Sequence, residues 1–234
     1  MIMVREAVEK DWPSISHISG ISGYVDYINR VGQSYMKWGT VLLAEDRGEP
    51  LGFLLLQFLQ DRSGWLSGIR VDPDHRRKGV AKTLTERAVR MCLGNGINEV
   101  RMLVHVDNGP SIALAKSMGF GVMQTLTFYE GDVDISNSEE SETVPMEPVF
   151  YDWKVMVPSS KRDLPGKVYK KGNSVLHLSD NGGEKYYHIY RGEEIECIEG
   201  NGTISHPVGA CAVKGIRKDD YFPDAHIFRK ILLE

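Results

Sequence analysis

The most constraining feature of this sequence is a short basic turn between an apolar strand and an amphipathic helix. The strand is predicted at Trp65–Val71, and the helix begins at Val80, where apolar residues start to recur at helical spacing. Between them, Arg76, Gly79 and Ala81 form the pattern Arg-x-x-Gly-x-Ala. The first N–H groups of a helix have no intrahelical acceptor, and the helix dipole places partial positive charge there. The turn therefore predicts a binding site for an anion such as a phosphate.

Two better-known phosphate-binding loops do not fit this turn. Lys82-Thr83 could end a P-loop, but arginine stands where its first glycine should be. The dinucleotide fingerprint Gly-x-Gly-x-x-Gly does not occur in the sequence. What remains is the shorter pattern around Gly79, in which a glycine lets the backbone approach a phosphate closely.

The pattern on either side of the turn predicts alternating strands and helices. Thr40–Glu45 and Leu51–Leu59 form a hairpin that continues into Trp65–Val71 as a three-stranded meander. Asp11-Trp12-Pro13 is typical of a helix start. The other predicted elements are strands at 2–7, 100–106, 122–128 and 150–157 and a helix from Pro110 to Gly119.

With these elements, the sequence resembles the GNAT superfamily of N-acetyltransferases over residues 1 to about 157. The pattern Arg76-x-x-Gly79-x-Ala81 carries the resemblance. Val71-Asp72-Pro73 before the turn, and Asn108 followed by Met118-Gly119-Phe120 after it, also match. The resemblance implies an α+β fold with a mixed, mostly antiparallel sheet flanked by helices, and acetyl-CoA or a related acyl-CoA as the ligand.

The resemblance also assigns cofactor-binding residues. Backbone amides of Arg77–Lys82 would bind the pyrophosphate, and the strand edge Ile69–Val71 would pair with the pantetheine amides. Edge-strand physics independently favours that pairing, since an exposed backbone row accepts an amide-bearing chain. Asn108 would contact the cofactor or hold the strands apart. The assigned residues are Ile69, Val71, Arg76, Arg77, Lys78, Gly79, Val80, Ala81, Lys82 and Asn108.

The catalytic residues are less clearly marked. Many relatives place a tyrosine general acid seven residues after the asparagine, where this sequence has Ala115. A water, Tyr129 or another group would then donate the proton. His105 is the candidate general base, since histidine is the residue type suited to proton transfer near neutral pH and this one is predicted to share a strand face with Asp107. The alternative is that His105 only packs or is solvated.

Other reactive side chains have structural interpretations. Cys92 lies on the apolar stripe of the helix, which favours direct attack by the acceptor over an acyl-cysteine intermediate. Asp72 is predicted to be a turn residue, and His75 to be exposed rather than bound to phosphate. Glu45 and Asp61 lie at strand ends and could be either turn residues or a general base. The histidines and cysteine of the C-terminal part match no metal-ligand spacing, so no metal is expected: His177, His188, His206, Cys211 and His226.

The C-terminal third is predicted to be a separate module. Residues 158–165 are typical of a linker, and 166–234 alternate short strands with Gly and Asn turns, which predicts a small all-β domain. It could cap the acceptor site, mediate homodimerisation or bind something unrelated. The acidic segment 130–147 is predicted to be either a surface that attracts a cationic amine or a solvated, disordered insertion.

Composition excludes several classes of protein. The net charge is −4 for the whole chain, with −5 before residue 158 and +1 from there on, which argues against nucleic acid as a partner. No apolar run has the roughly 20 residues of a membrane span, and the N-terminus does not resemble a signal peptide. Three widely spaced cysteines predict no disulfide framework. The expected location is the cytoplasm.

The sequence thus predicts an enzyme that transfers an acetyl group from acetyl-CoA to a primary amine by direct attack. The acceptor cannot be identified from it. The alternative is a non-catalytic acyl-CoA-binding sensor, which the alanine at position 115 suggests. A third hypothesis, an interaction protein without cofactor, is disfavoured by the intact set of Arg76, Gly79, Ala81 and Asn108.

Overall fold

The computed structural model describes residues 1–23, 27–215 and 221–232. They form two compact units, the first of 1–102, 113–120 and the residues from Arg229 onward, the second of 103–112 and 121–228. The helices are α1 (Trp12–Ile21), α2 (Tyr27–Val31), α3 (Val80–Gly94) and α4 (Gly109–Ser117). The strands are β1 (Met3–Glu6), β2 (Thr40–Asp46), β3 (Glu49–Phe58), β4 (Gly64–Val71), β5 (Glu99–His105), β6 (Gly121–Val133), β7 (Glu139–Ser141), β8 (Val149–Tyr151), β9 (Lys154–Met156), β10 (Lys167–Lys171), β11 (Ser174–Asn181), β12 (Glu184–Arg191), β13 (Glu194–Pro207), β14 (Ala212–Lys214) and β15 (Tyr221–Ile231).

The first unit is built on the strands β1 to β5, which are adjacent in sequence order. The predicted meander β2–β3–β4 is antiparallel, while β4 and β5 are parallel. Helix α3 connects that parallel pair, as a crossover between parallel strands requires. The helix begins at Val80 as the sequence predicts, directly after Gly79, whose φ of +86° ends the preceding loop.

Both faces of the first unit's sheet are covered by helices. Val41 and Leu43 of β2 pack with α1, α2 and β3 in one apolar cluster. Alternate residues of a strand point to opposite faces, so Leu42 and Ala44 of β2 face the other side, where α3 packs against β2, β3 and β4. All four side chains are at most 2% exposed. This double burial explains the nearly continuous apolar runs of β2 and β3.

The second unit has the strand order β15-β6-β13-β12-β11-β10-β7, with β14 beside β13. Most neighbours are antiparallel, but β13 runs parallel to both β12 and β14. One apolar cluster covers a face of this sheet, and it includes Tyr129 of β6, Tyr187 of β12 and Ile204 of β13. The C-terminal strands therefore share their core with β6.

The compact units do not follow the predicted linker at 158–165. That segment lies inside the second unit, where Leu164 is buried and the Pro165 carbonyl lies 2.6 Å from His177 Nε2. The physical reason is that β6, before the segment, pairs along much of its length with β13, after it. Independent folding of 1–157 and 166–234 stays a prediction.

The acidic segment 130–147 is not a disordered insertion, and that interpretation is wrong. β6 extends through Val133, and β7 at Glu139–Ser141 pairs with β10. Its carboxylates meet lysines and an arginine of the C-terminal strands, in the pairs Asp132–Lys185, Asp134–Lys171, Glu140–Lys167 and Glu147–Arg191. The predicted strand at 150–157 is likewise a hairpin, β8–β9, because Asp152 and Trp153 both have positive φ and close a tight turn.

Candidate functional site

The candidate site of the first unit begins with a bulge in β4. Phe53 of β3 pairs with Arg70 and Leu55 with Ser67, so two residues, Gly68 and Ile69, lie opposite a single residue of β3. Gly68 has a φ of +61°, the left-handed conformation of a glycine in a G1-type bulge. Bulges of this kind occur next to active sites, where they redirect the backbone.

The bulge coincides with a change in strand pairing. β4 pairs with β5 from Gly64–Val100 to Leu66–Met102, and within the described residues no further pairs join these strands. From Ser67 to Val71, β4 keeps its pairing with β3 alone. Ile69 and Val71 are partly exposed there. The edge of β4 that faces away from β3 can therefore pair, over these residues, with an extended ligand that carries amides.

The loop after β4 contains a capped 3-10 turn and two left-handed residues before α3. Asp72 accepts a hydrogen bond from the Asp74 amide at 2.9 Å, which caps a 3-10 turn and confirms Asp72 as a turn residue. Arg77 and Gly79 then adopt positive φ of +64° and +86°. Left-handed residues in such a loop form the concave backbone arrangements that bind anions.

The amides of this loop have no acceptor in the part of the chain that the structure describes. The first intrahelical bond of α3 is donated by the Thr83 amide to the Gly79 carbonyl, at 2.9 Å. The N–H groups of residues 77–82 donate to no described protein group. Apart from Gly79 itself and its two chain neighbours, no described heavy atom lies within 4 Å of the place where a Cβ at Gly79 would be, so the space beside this residue is open. An anion would satisfy donors that the helix itself cannot satisfy.

The side chains of the loop contribute differently from its backbone. Arg77, Lys78 and Lys82 are exposed, and Lys82 lies 4.0 Å from the Glu86 carboxylate. The Val80 side chain is buried, so only its amide can contact a ligand. Ala81 is partly exposed, and its small side chain leaves the start of α3 accessible.

Arg76 has a structural partner. Its guanidinium donates to the carbonyl of Ser22, at the end of α1, with a distance of 2.5 Å. Ser22 is buried, and its own hydroxyl donates to the Ser19 carbonyl. The arginine of the sequence pattern thus connects the loop after β4 to the end of α1.

A cavity of about 310 Å³ borders the loop near His75 and Lys78. Asp46 and Glu49 also line it, so its wall contains acidic and basic side chains as well as apolar ones. The prediction of an exposed His75 is wrong, since its side chain is 23% exposed and lies 3.6 Å from the Asp72 carboxylate. The mixed charge distinguishes this cavity from the row of amides on the loop.

Asn108 and His105 belong to the second unit. Asn108 is the N-cap of α4, where its side-chain oxygen accepts from the Ser111 amide at 3.2 Å. β5 ends at His105, and Asp107 lies in the following turn, closed by a bond from the Asn108 amide to the His105 carbonyl. The prediction that His105 and Asp107 share a strand face is therefore wrong. The exposed His105 ring has Nδ1 3.4 Å from the Pro223 carbonyl.

The candidate acids and nucleophiles are mostly engaged or buried. Ala115 is fully buried. The Tyr129 hydroxyl lies 2.8 Å from Nε2 of His206, and the two rings stack. Burial raises the pKa of the Cys92 thiol to about 11, so little reactive thiolate forms near neutral pH.

The remaining carboxylates that the sequence left open are structural. Glu45 pairs with Arg5 at 3.0 Å, and Asp61 pairs with the buried Arg101 at 2.5 Å. Within the described residues, no group of three or more His, Cys, Asp or Glu side chains could hold a metal ion. Among the same residues, every helix is too short or too polar to cross a lipid bilayer.

Comparison with known proteins identifies the family. The family model of the GNAT acetyltransferases matches residues 4–120. This chain belongs to that family. The resemblance read from the turn around Gly79 is thereby confirmed, and so is the predicted mixed sheet flanked by helices.

Individual relatives are distant. A mycothiol acetyltransferase of Corynebacterium urealyticum is 26% identical to this chain over 95 residues. The matched part is 41% of this chain and only 26% of that protein's length. A candidate acetyltransferase of Thermoplasma acidophilum is 16% identical but covers 98% of this chain and 99% of its own, with a TM-score of 0.64. The fold including the C-terminal strands therefore recurs in another protein. The PaiA N-acetyltransferase of the same organism, solved with coenzyme A, is 20% identical over 53% of this chain and 92% of its own, with a TM-score of 0.48.

Two features of the site are not among those predicted from the sequence. The first is the bulge at Gly68, for which a glycine inside an apolar strand was an available signal. The second is a group of aromatic side chains beside that bulge, Tyr27, Tyr35 and Trp38. Their spacing of eight and then three residues is a helical one and was an available signal; α2 and the following 3-10 helix bring them together.

Proposed function

We propose that this protein transfers the acetyl group of acetyl-CoA to a primary amine. The observation that carries the proposal is the row of amides at residues 77–82, which have no described protein acceptor and lie at the positive end of α3. Membership of the GNAT acetyltransferase family gives that anion site its ligand. Open space at Gly79 leaves room for a pyrophosphate.

The residues of the first unit would hold acetyl-CoA in two ways. The amides of 77–82 would bind its pyrophosphate, with Arg77, Lys78 and Lys82 adding positive charge. The backbone of Ile69 and Val71 would pair with the pantetheine amides. Arg76 would act by fixing the loop to Ser22 rather than by direct contact.

The reaction replaces a thioester by an amide: a C–N bond forms, the C–S bond breaks, the amine loses a proton and the sulfur gains one. An amine with a free pKa of about 10.4 must be deprotonated before it attacks. His105 is the proposed base, and Asn108 a proposed cofactor contact, both by the family resemblance. With alanine at 115, a solvent water would protonate the sulfur.

A second candidate function is a non-catalytic sensor of acyl-CoA. The observation that favours it is the complete burial of Ala115, which leaves no acid at the position of the usual tyrosine. The two functions differ in whether bound acetyl-CoA is consumed: an acetyltransferase converts it to CoA with an amine, and a sensor only binds it.

The experiment is to incubate the protein with acetyl-CoA and a panel of primary amines and to measure free CoA thiol over time. The enzyme proposal expects many equivalents of thiol per protein molecule with at least one amine. His105→Gln should lower kcat, because it removes the proposed proton acceptor, and should leave the Kd for acetyl-CoA unchanged. Calorimetric binding of acetyl-CoA without turnover on any amine would support the sensor, and absence of binding would refute both.

A further inference from the structure

We infer that Tyr27, Tyr35 and Trp38 form the acceptor-binding surface, and that the acceptor is an amine attached to a flat aromatic ring. This inference rests on the proposed function. The three side chains are called the aromatic surface below.

The rings form an open stack on a buried base. Tyr27 and Trp38 are nearly parallel, with 12° between their planes and 6.0 Å between their centroids. Tyr35 is fully buried and meets Tyr27 edge-on at 6.3 Å and Trp38 at 5.7 Å. Tyr27 is 37% and Trp38 44% exposed. A preformed stack that is partly exposed can add another flat ring with little reorganisation.

The aromatic surface lies at the bulge of β4. A Cβ at Gly68 would lie 2.2 Å from the Tyr35 hydroxyl oxygen and 3.5 Å from that of Tyr27. Gly68 is three residues before Val71, or roughly 10 Å along a strand. A pantetheine arm that starts at the amides of 77–82 and runs back along β4 would therefore bring its thioester toward Gly68. An amine held on the aromatic surface would meet the thioester there.

Charge distinguishes between kinds of amine. Residues 12–44 contain a single carboxylate, Asp26, together with Arg30 and Lys37. A surface for polyamines or lysine-rich peptides needs several carboxylates to compensate several positive charges. The segment that carries the aromatic surface lacks them. It fits an acceptor with one amine and an uncharged flat body.

The test compares amines of matched size with the full-length protein. Phenethylamine and 2-cyclohexylethylamine have the same chain and similar bulk, but only the first has a flat ring, and spermidine represents the polycations. We expect phenethylamine to have the highest kcat/KM. Trp38→Leu should raise its KM about tenfold, as loss of a stacked ring implies. The kcat and the Kd for acetyl-CoA should not change, and Trp38→Phe should restore most of the KM.

Phe58→Leu is the matched control, since Phe58 is 45% exposed at the end of β3. It should leave every constant unchanged. Preference for spermidine, equal use of phenethylamine and 2-cyclohexylethylamine, or equal effects of Trp38→Leu and Phe58→Leu would overturn the inference.

A binding measurement separates this inference from the proposed function. Phenethylamine is titrated calorimetrically into the protein with and without CoA. Binding that is lost in Trp38→Leu but kept in Phe58→Leu supports the aromatic surface even if no amine is acetylated. Turnover of other amines with no phenethylamine binding would refute the aromatic surface and leave the acetyltransferase proposal standing.

Discussion

Replacement of Gly79 by valine tests the proposed cofactor site most directly. Gly79 is the N-cap of α3 with a φ of +86°, and the place of its absent Cβ is free of protein atoms within 4 Å. Valine therefore meets no clash in the folded protein. Its branched side chain would instead occupy the open space beside the amides of residues 77–82, where the pyrophosphate is proposed to bind.

Two free energies can be separated in this variant. A β-branched residue at positive φ costs about 1–3 kcal/mol of folding stability. A hydrogen bond from an amide to a charged phosphate contributes about 1.5–3 kcal/mol. Loss of two such bonds removes about 3–6 kcal/mol of binding free energy, which is more than about 100-fold in Kd.

Gly96→Val is the matched control. Gly96 also has a positive φ, +67°, and no atom within 4 Å of its Cβ position, but it follows the opposite end of α3. Both variants should lose similar stability in urea unfolding. Only Gly79→Val should lose calorimetric binding of acetyl-CoA and of CoA. An unchanged Kd in Gly79→Val, or an equal loss in Gly96→Val, would show that the phosphates bind elsewhere.

Two further predictions concern stability. Asp61→Asn should cost about 1–3 kcal/mol in urea unfolding, because it removes one of the two carboxylates that lie 2.5 Å from the buried Arg101 and leaves only Glu99. Glu140→Gln, at an exposed pair, should change nothing measurable. Equal effects of the two substitutions would contradict this expectation. Burial lowers the pKa of His177 from 6.5 to about 4, so the unfolded chain binds more protons than the folded one between these values and stability falls as the pH drops below 6.5. His177 alone should contribute a loss of about 2 kcal/mol between pH 7 and pH 5. His177→Gln should remove that part of the slope, and an unchanged slope would refute it.

Local elements were predictable because the signals that define them are local. Helix α3 begins at Val80 and ends at Gly94, as the apolar stripe and the flanking glycines indicate. Strand β2, at Thr40–Asp46, extends one residue beyond its predicted range of Thr40–Glu45. Binary pattern and turn residues contain this information within a few positions of each boundary.

Long-range pairing was not predictable in the same way. β6 pairs with β13 about 75 residues later along the chain, from Leu126–Pro207 to Val133–Cys197. The charge pattern contained a partial signal, since an acidic segment without Lys or Arg precedes strands rich in lysine. Taken by itself, the segment 130–147 has the composition of a disordered loop. Its order depends on partners such as Lys171 and Lys185, which no local pattern identifies.

In the candidate site too, the sequence pattern identified the loop but not the contacts that its side chains make. The sequence pattern assigned Arg76 to the cofactor, but its guanidinium is bound to the Ser22 carbonyl. The amides of the loop can bind an anion whatever side chains they carry, so residue 76 is free to serve another purpose. That purpose is to hold the end of α1 at the loop, while Tyr35 packs against Gly68 and holds the segment after α2 at the bulge. These two contacts join the segment that carries the aromatic surface to both ends of the path proposed for acetyl-CoA. A change at either contact should therefore alter acceptor KM as well as cofactor affinity, even though neither side chain needs to touch the cofactor.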